Sequence, residues 1–337
     1  MIPITDLTWQ GLSQQELSEG SSSWQSLVSS AIRDAKTLAD ALGLAPVEVE
    51  TDFPINVPMP YLARIERGNP SDPLLLQVLA RPEEQNASGE VSPLQEEHFG
   101  RGLGMIQKYE GRALVITTGS CAIHCRYCFR RHFPYQANQP STEDWQNLFL
   151  RLKAEDSLSE VILSGGDPLM LSDRRLHWII EQLGEVPHLA TLRLHTRLPV
   201  VIPSRVTTQL LQSLSRSRLN IVLVTHINHA NEIDSEVISA TKQLQSAGVT
   251  LLNQSVLLRQ INDSVGALAD LSQQLINAGI LPYYLHLMDP VKGAAHFDVS
   301  EASGVELISQ LRARMPGYLV PRLSREVPFE SSKRVIA

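Results

Sequence analysis

Apolar residues follow two different periods along this chain, and the change of period divides it. Over residues 24–44 they fall at Leu27, Val28, Ala31, Ile32, Ala35, Leu38, Ala39 and Leu42, the spacing of one helix face. Gly20-Ser21-Ser22-Ser23 precedes that stretch, and Gly43 is placed to stop it. Prolines at 46, 54, 58, 60, 70, 73 and 82 then punctuate short helical pieces. Residues 1–100 read as a helical, loop-rich region that covers one face of a larger domain.

From residue 113 onward, short runs of strand-forming residues alternate with helical patterns. The runs are 113–117, 161–163, 192–195, 221–225, 250–255 and 282–287. Helical patterns start at the capping segment Ser141-Thr142-Glu143, span 173–183, and follow Ser204, Glu232, Ser264 and Ser300. A strand–helix unit recurring every ~30 residues is the spacing of parallel βαβ units. The pattern predicts an α/β fold, a partial (β/α)6-type TIM barrel over 101–300, with a C-terminal segment over 301–337. Chemistry in such a barrel sits at the carboxyl ends of the strands. That is where Cys121, Gly165-Gly166-Asp167, His195-Thr196-Arg197, His226, Gln254 and Asp289 fall.

Composition narrows the class. A 337-residue chain with 43% hydrophobic and 19% charged residues can build a large core, which excludes a disordered, collagen-like or disulfide-stapled protein. Lys+Arg 29 against Asp+Glu 36 gives a net charge of -7, which argues against nonspecific nucleic-acid binding and against an anionic membrane surface. No apolar run approaches the ~18–20 residues of a membrane span. Met1-Ile2-Pro3-Ile4-Thr5-Asp6 lacks the basic and apolar regions of an export signal, so a cytoplasmic protein with reduced thiols is expected.

All three cysteines lie in Cys121-Ala122-Ile123-His124-Cys125-Arg126-Tyr127-Cys128, a CxxxCxxC motif after the first of those runs. Three thiolates at this spacing can hold three corners of a 4Fe-4S cube and leave the fourth iron open to an exogenous ligand. Zinc, with His124 or His132 as a fourth ligand, is an alternative, and a chance cluster of structural cysteines is another.

The cysteine motif after a first barrel strand resembles the radical S-adenosylmethionine (SAM) superfamily, whose members chelate SAM at the open iron and cleave it to a 5′-deoxyadenosyl radical. Ser164-Gly165-Gly166-Asp167-Pro168 is similar to the glycine-rich stretch that contacts the SAM amino group. The likeness extends further. Residues 121–131, His195-Thr196-Arg197-Leu198-Pro199-Val200-Val201, Thr225-His226-Ile227-Asn228-His229, Asn253-Gln254-Ser255-Val256-Leu257-Leu258-Arg259 and Pro282-Tyr283-Tyr284 resemble the lysine 2,3-aminomutase family from about residue 60 to 333. Within it the chain is similar to the short bacterial branch that forms (R)-β-lysine for elongation factor P, alongside that factor's lysyl-ligase. The resemblance implies an isomerase that takes hydrogen from the β-carbon of L-lysine. The nitrogen then moves from α to β while held on pyridoxal 5'-phosphate (PLP).

That chemistry needs a Schiff-base lysine. Of six lysines, Lys36, Lys153 and Lys242 lie on helical patterns, Lys108 precedes the run at 113–117, and Lys292 follows Asp289 in a loop. Lys333 matches the family's PLP lysine, although Phe329-Glu330-Ser331-Ser332 stands where longer relatives carry glycines; Lys292 is the alternative. The resemblance also implies Arg130 for the substrate carboxylate, and Asp289 with Glu326 for the distant ammonium. It gives Arg112 to the PLP phosphate, unless it merely caps a strand, and His226 and Gln254 to the neighbourhood of SAM or PLP. The alternatives are a turn residue for Asp289 and a surface charge for Glu326. His286 receives no role.

Longer relatives bind a structural zinc through a cysteine after an Asn-Asp pair. Here Asn262-Asp263 precedes Ser264, so no structural zinc is expected and a homo-oligomer is left open. Rival readings are a radical SAM enzyme acting on another amino acid or on a macromolecule, and an iron–sulfur sensor without catalysis.

Overall fold

The computed structural model describes residues 23–45, 49, 51–86 and 88–337; the expected serine run at 20–22 and Pro46 lie outside them. Nine strands form one sheet in chain order: β1 (Met105–Tyr109), β2 (Arg112–Thr118), β3 (Glu160–Gly165), β4 (Thr191–Thr196), β5 (Asn220–Thr225), β6 (Thr250–Val256), β7 (Leu281–His286), β8 (Arg322–Arg325) and β9 (Arg334–Val335). Neighbours from β2 to β8 are parallel, while β1 and β9 pair antiparallel at the two edges. The result is an open, partial barrel.

Strands β2 to β7 are the six that the apolar runs predict, each followed by a helix. Every one of those helices begins with a side chain that accepts a hydrogen bond from its first turn: Ser141, Ser172, Thr207, Asp234, Ser264 and Ser300. Such a cap contributes ~1 kcal/mol and fixes where the crossover turns. Ser264, which follows the Asn262-Asp263 pair, is one of these caps.

The sheet has two unlike faces. Along β4, Leu192 and Leu194 are fully buried against the helices, whereas Arg193 and His195 are partly accessible and line a central cavity. Along β6, Gln254 and Val256 face that cavity in the same way, and Tyr284 and His286 do so on β7. Side chains alternate across a strand, so one face serves the core and the other the lumen. Leu163, Leu176, Ile179, Leu183, Leu192 and Leu194 belong to the helix-side core. Truncating one of these leucines to Ala costs ~2–5 kcal/mol.

The N-terminal region departs from expectation in one respect. The single helix predicted over 24–44 is two, Trp24–Ser29 and Ala35–Leu42. Ile32 leaves the helix to exchange two backbone hydrogen bonds with Val57, both 2.9 Å, and Asp34 recaps the chain by accepting from Thr37 N at 2.8 Å. Gly43 ends the second helix in the left-handed conformation, φ 69. Strands β1, β8 and β9 had no apolar signal: they are short and carry Lys108, Arg322, Arg325 and Arg334. Among the described residues no helix is long and apolar enough to cross a membrane.

Candidate active site

The lumen opens into a cavity of about 350 Å³, within the range of small-molecule sites. Its lining brings together Cys121, Cys125 and Cys128, Arg112, Arg130, Gly165, Gly166, Asp167, His226, Gln254, Asp289, Glu326 and Lys333. Every site residue expected from the sequence therefore faces one space. Lys292, the alternative Schiff-base lysine, is exposed and does not line it.

The cysteine loop follows β2 and is held in place by its surroundings. Asn56 Nδ2 donates to the carbonyls of Cys121 and Ala122 at 3.2 and 2.9 Å, and Arg126 N donates to Gln77 O at 2.8 Å. Glu84 pairs with both Arg126 and Arg131. The glycine turn after β3 packs directly on this loop. A Cβ on Gly166 would sit 2.3 Å from Ser120 O, and Gly165 has φ +118 with its Cβ position 2.7 Å from Thr118 O, so only glycine fits. Asp167 is fully engaged: its carboxylate accepts from Thr196 Oγ1, Arg197 N, Leu169 N and Leu198 N at 2.6 to 3.0 Å, tying β3 to the end of β4.

Burial pushes the Cys128 thiol up to about 11 and Cys121 well above its ordinary value. Thiols in such a site give up their protons to a metal rather than to solvent. Among the described residues no three His, Cys, Asp or Glu side chains converge as ligands of a single ion. Three cysteines around one cavity fit a cluster that takes one thiolate at each of three irons.

Arg130 is buried, with Nε and Nη2 donating to Glu96 at 2.8 and 2.6 Å and Nη1 to Ser164 Oγ at 3.1 Å. Arg112 has its guanidinium over the Tyr109 ring at 4.6 Å, and no carboxylate among the described residues pairs with it. A guanidinium without a counter-charge on a cavity wall suits a phosphate.

At the opposite edge of the sheet Lys333 Nζ lies 3.3 Å from His286 Nε2, 3.5 Å from Glu326 Oε2 and 4.8 Å from the centre of the Tyr284 ring. Burial lowers its pKa, which favours the free amine that attacks a carbonyl. Glu326 also accepts from Lys108 Nζ at 2.8 Å and from the Tyr109 hydroxyl. Burial works against its charge, but Lys333, Lys108 and Tyr109 outweigh that and hold it below the ordinary carboxylate value. Asp289 has no such partners among the described residues; burial, with the Glu326 charge, raises it to about 7. His226 Nε2 accepts from Gln254 Nε2 at 3.1 Å, and burial pushes its pKa down to about 3, so it is neutral.

Several residues that shape this site were given no role from the sequence. Glu84, Glu96, Gln77, Lys108, Tyr109, Glu232 and His286 become visible only through partners far away in the chain. The carboxylates facing the cysteine loop come from the proline-punctuated region.

Residues 115–271 match the family described as the Radical SAM superfamily. The chain is 49% identical over 283 residues to L-lysine 2,3-aminomutase of Escherichia coli, covering 83% of this chain and 82% of that one. It is 43% identical over 334 residues to L-lysine 2,3-aminomutase of Haemophilus influenzae, covering 97% and 99%. The Clostridium subterminale L-lysine 2,3-aminomutase is 36% identical over 276 residues, covering 81% and 66%. Identity at this level and span, together with the cysteine loop after β2, places the chain in the lysine 2,3-aminomutase family of radical SAM enzymes.

Proposed function

We propose that this protein isomerises L-lysine to β-lysine, the (R) form, by moving the amino group from C2 to C3. The observation that carries the reading is one cavity whose wall holds three cysteines, a guanidinium with no carboxylate partner among the described residues, a half-buried amine and a half-buried carboxylate. When bound, a 4Fe-4S cluster with SAM supplies a carbon radical and PLP supplies the carbonyl that holds the migrating nitrogen.

The chain's own residues do the rest. Cys121, Cys125 and Cys128 hold the cluster, with the Gly165–Gly166 backbone, His226 and Gln254 forming the wall against which SAM and PLP lie. Arg112 takes the phosphate, and Lys333, its pKa lowered by burial, offers its amine to the PLP carbonyl. The Nη1 side of Arg130 takes the substrate carboxylate, since Glu96 occupies the other edge. Asp289 receives the distant ammonium, with Glu326 beside it. Asp167 keeps the strand ends in register rather than touching a ligand.

In this reading residues 1–100 are an accessory region, 101–300 the barrel core and 301–337 the segment that delivers Lys333. The protein works in the cytoplasm on a free amino acid, without nucleic acid or membrane, and its β-lysine goes to elongation factor P through that factor's lysyl-ligase. The test offers free amino acids singly to protein reconstituted without oxygen with iron, sulfide, PLP, SAM and a reductant. Isomerisation of lysine above all others is expected; lysine returned unchanged while another amino acid is isomerised overturns the reading.

A further inference from the structure

Arg197 follows β4 directly, and the roles above leave it unused. Arg197 is 6% exposed, with its Nη1 2.6 Å from Sγ of Cys125. Nη2 donates to Glu232 Oε2 and Gln77 Oε1, both at 2.7 Å, and to the Tyr61 hydroxyl at 3.2 Å. The rings of Tyr61 and Tyr127 lie 5.3 and 5.9 Å from the guanidinium carbon. The partners are themselves fixed. Glu232 is fully buried, and its Oε1 accepts from the backbone of Asn228 and His229. The Arg197 backbone N–H is held by Asp167 at 2.8 Å. Every neighbour thus aims one end of this cation at one sulfur.

We propose that Arg197 is a positioning residue that acts through Cys125, making the cluster easier to reduce. The inference rests on the cluster assignment made above. Reduction adds one electron, from an external low-potential one-electron donor, to the oxidised cluster; no bond to carbon and no proton is involved. The added negative charge spreads onto the ligand sulfurs. A charged donor at a sulfur in a dry site stabilises that more negative state, and hydrogen bonds to sulfur and net charge are the protein's means of setting a cluster potential. Glu232, on the far side of the same guanidinium, opposes part of this effect. Removing either charge therefore moves the potential in opposite directions.

The experiment uses full-length wild type, Arg197→Gln, Arg197→Lys and Glu232→Gln, each loaded with iron and sulfide, without lysine or PLP. Iron content is measured first, and the midpoint potential is then read from the spin-resonance signal of the reduced cluster in a dithionite titration. Arg197→Gln should make reduction at least about tenfold less favourable, 59 mV more negative for one electron. Arg197→Lys should fall between it and wild type, and Glu232→Gln should move the potential upward. Arg197→Gln with wild-type iron content and an unchanged potential overturns the proposal. If that variant binds less iron, Glu232→Gln decides: an upward shift supports the proposal, and no shift or a downward one overturns it. A wild-type chain that takes up no 4Fe-4S cluster overturns the cofactor reading instead, and this inference with it.

Discussion

Lys108 Nζ lies 2.8 Å from Glu326 Oε1, joining the first strand of the sheet to the end of the eighth. The protein thereby supplies its own cation to one of the two acids that face the cavity at this edge. Asp289, half-buried and without an ion pair among the described residues, is left with an unmatched charge whenever it ionises. An incoming ammonium group can match it.

Discrimination for lysine should therefore rest more on Asp289 than on Glu326. Asp289→Asn keeps the shape and removes the charge; taking away one partner of a buried charged hydrogen bond costs ~2–4 kcal/mol. Comparing kcat/KM for lysine and norleucine, which lacks the ammonium, should show the lysine preference falling at least ~tenfold in Asp289→Asn. Glu326→Gln should lower it less, and an equal or greater fall there would mean that Lys108 does not neutralise the acid.

The pH dependence follows from the same residue. Asp289 is raised by burial to about 7, so below that pH it is neutral and cannot pair with an ammonium. With lysine, kcat/KM should rise as pH increases through about 7, and the step should vanish in Asp289→Asn. The linked effect on folding has the opposite sign. Between the unfolded carboxyl's pKa and about 7 the native state holds the extra proton, so this group's contribution to stability is full below that window and is lost as pH rises through it.

Lys333 and Lys292 are separated by burial as well as by position. Replacing Lys333 with Ala should abolish the imine absorbance of PLP-loaded protein while leaving its iron content unchanged. Lys292→Ala, at an exposed loop, should change neither. Survival of the imine in Lys333→Ala and its loss in Lys292→Ala would reverse the assignment.

Gly166→Ala puts a methyl where only 2.3 Å separates its Cβ from Ser120 O. Because that oxygen is backbone, either the glycine turn or the start of the cysteine loop must shift. Overpacking of this kind costs ~1–3 kcal/mol. The thermal midpoint should fall and SAM binding, followed by calorimetry, should weaken; unchanged values for both would show that the two loops do not pack on each other.

The barrel was legible in the chain because short apolar, strand-forming runs alternate with helical patterns every ~30 residues. The cysteines, Gly165-Gly166 and Lys333 were legible as motifs or by family likeness. The electrostatic frame was not. Arg130 meets Glu96 across 34 residues, Arg197 meets Gln77 across 120, and Lys108 meets Glu326 across 218. No periodicity in a sequence encodes such pairs, since each is set by how the loops close over the sheet. The break in the first predicted helix has the same origin: Ile32 fits a helix face, but pairing with Val57 wins.

In the proposed reaction one nitrogen moves between adjacent carbons of lysine within a single molecule. Lysine labelled with 15N at the α-amino group, turned over by reconstituted protein with SAM, PLP and reductant, reports on that transfer directly. The expected product is β-lysine with the label on C3 and an unlabelled ε-amino group. Label released as ammonia, or unlabelled nitrogen at C3, would contradict an intramolecular shift.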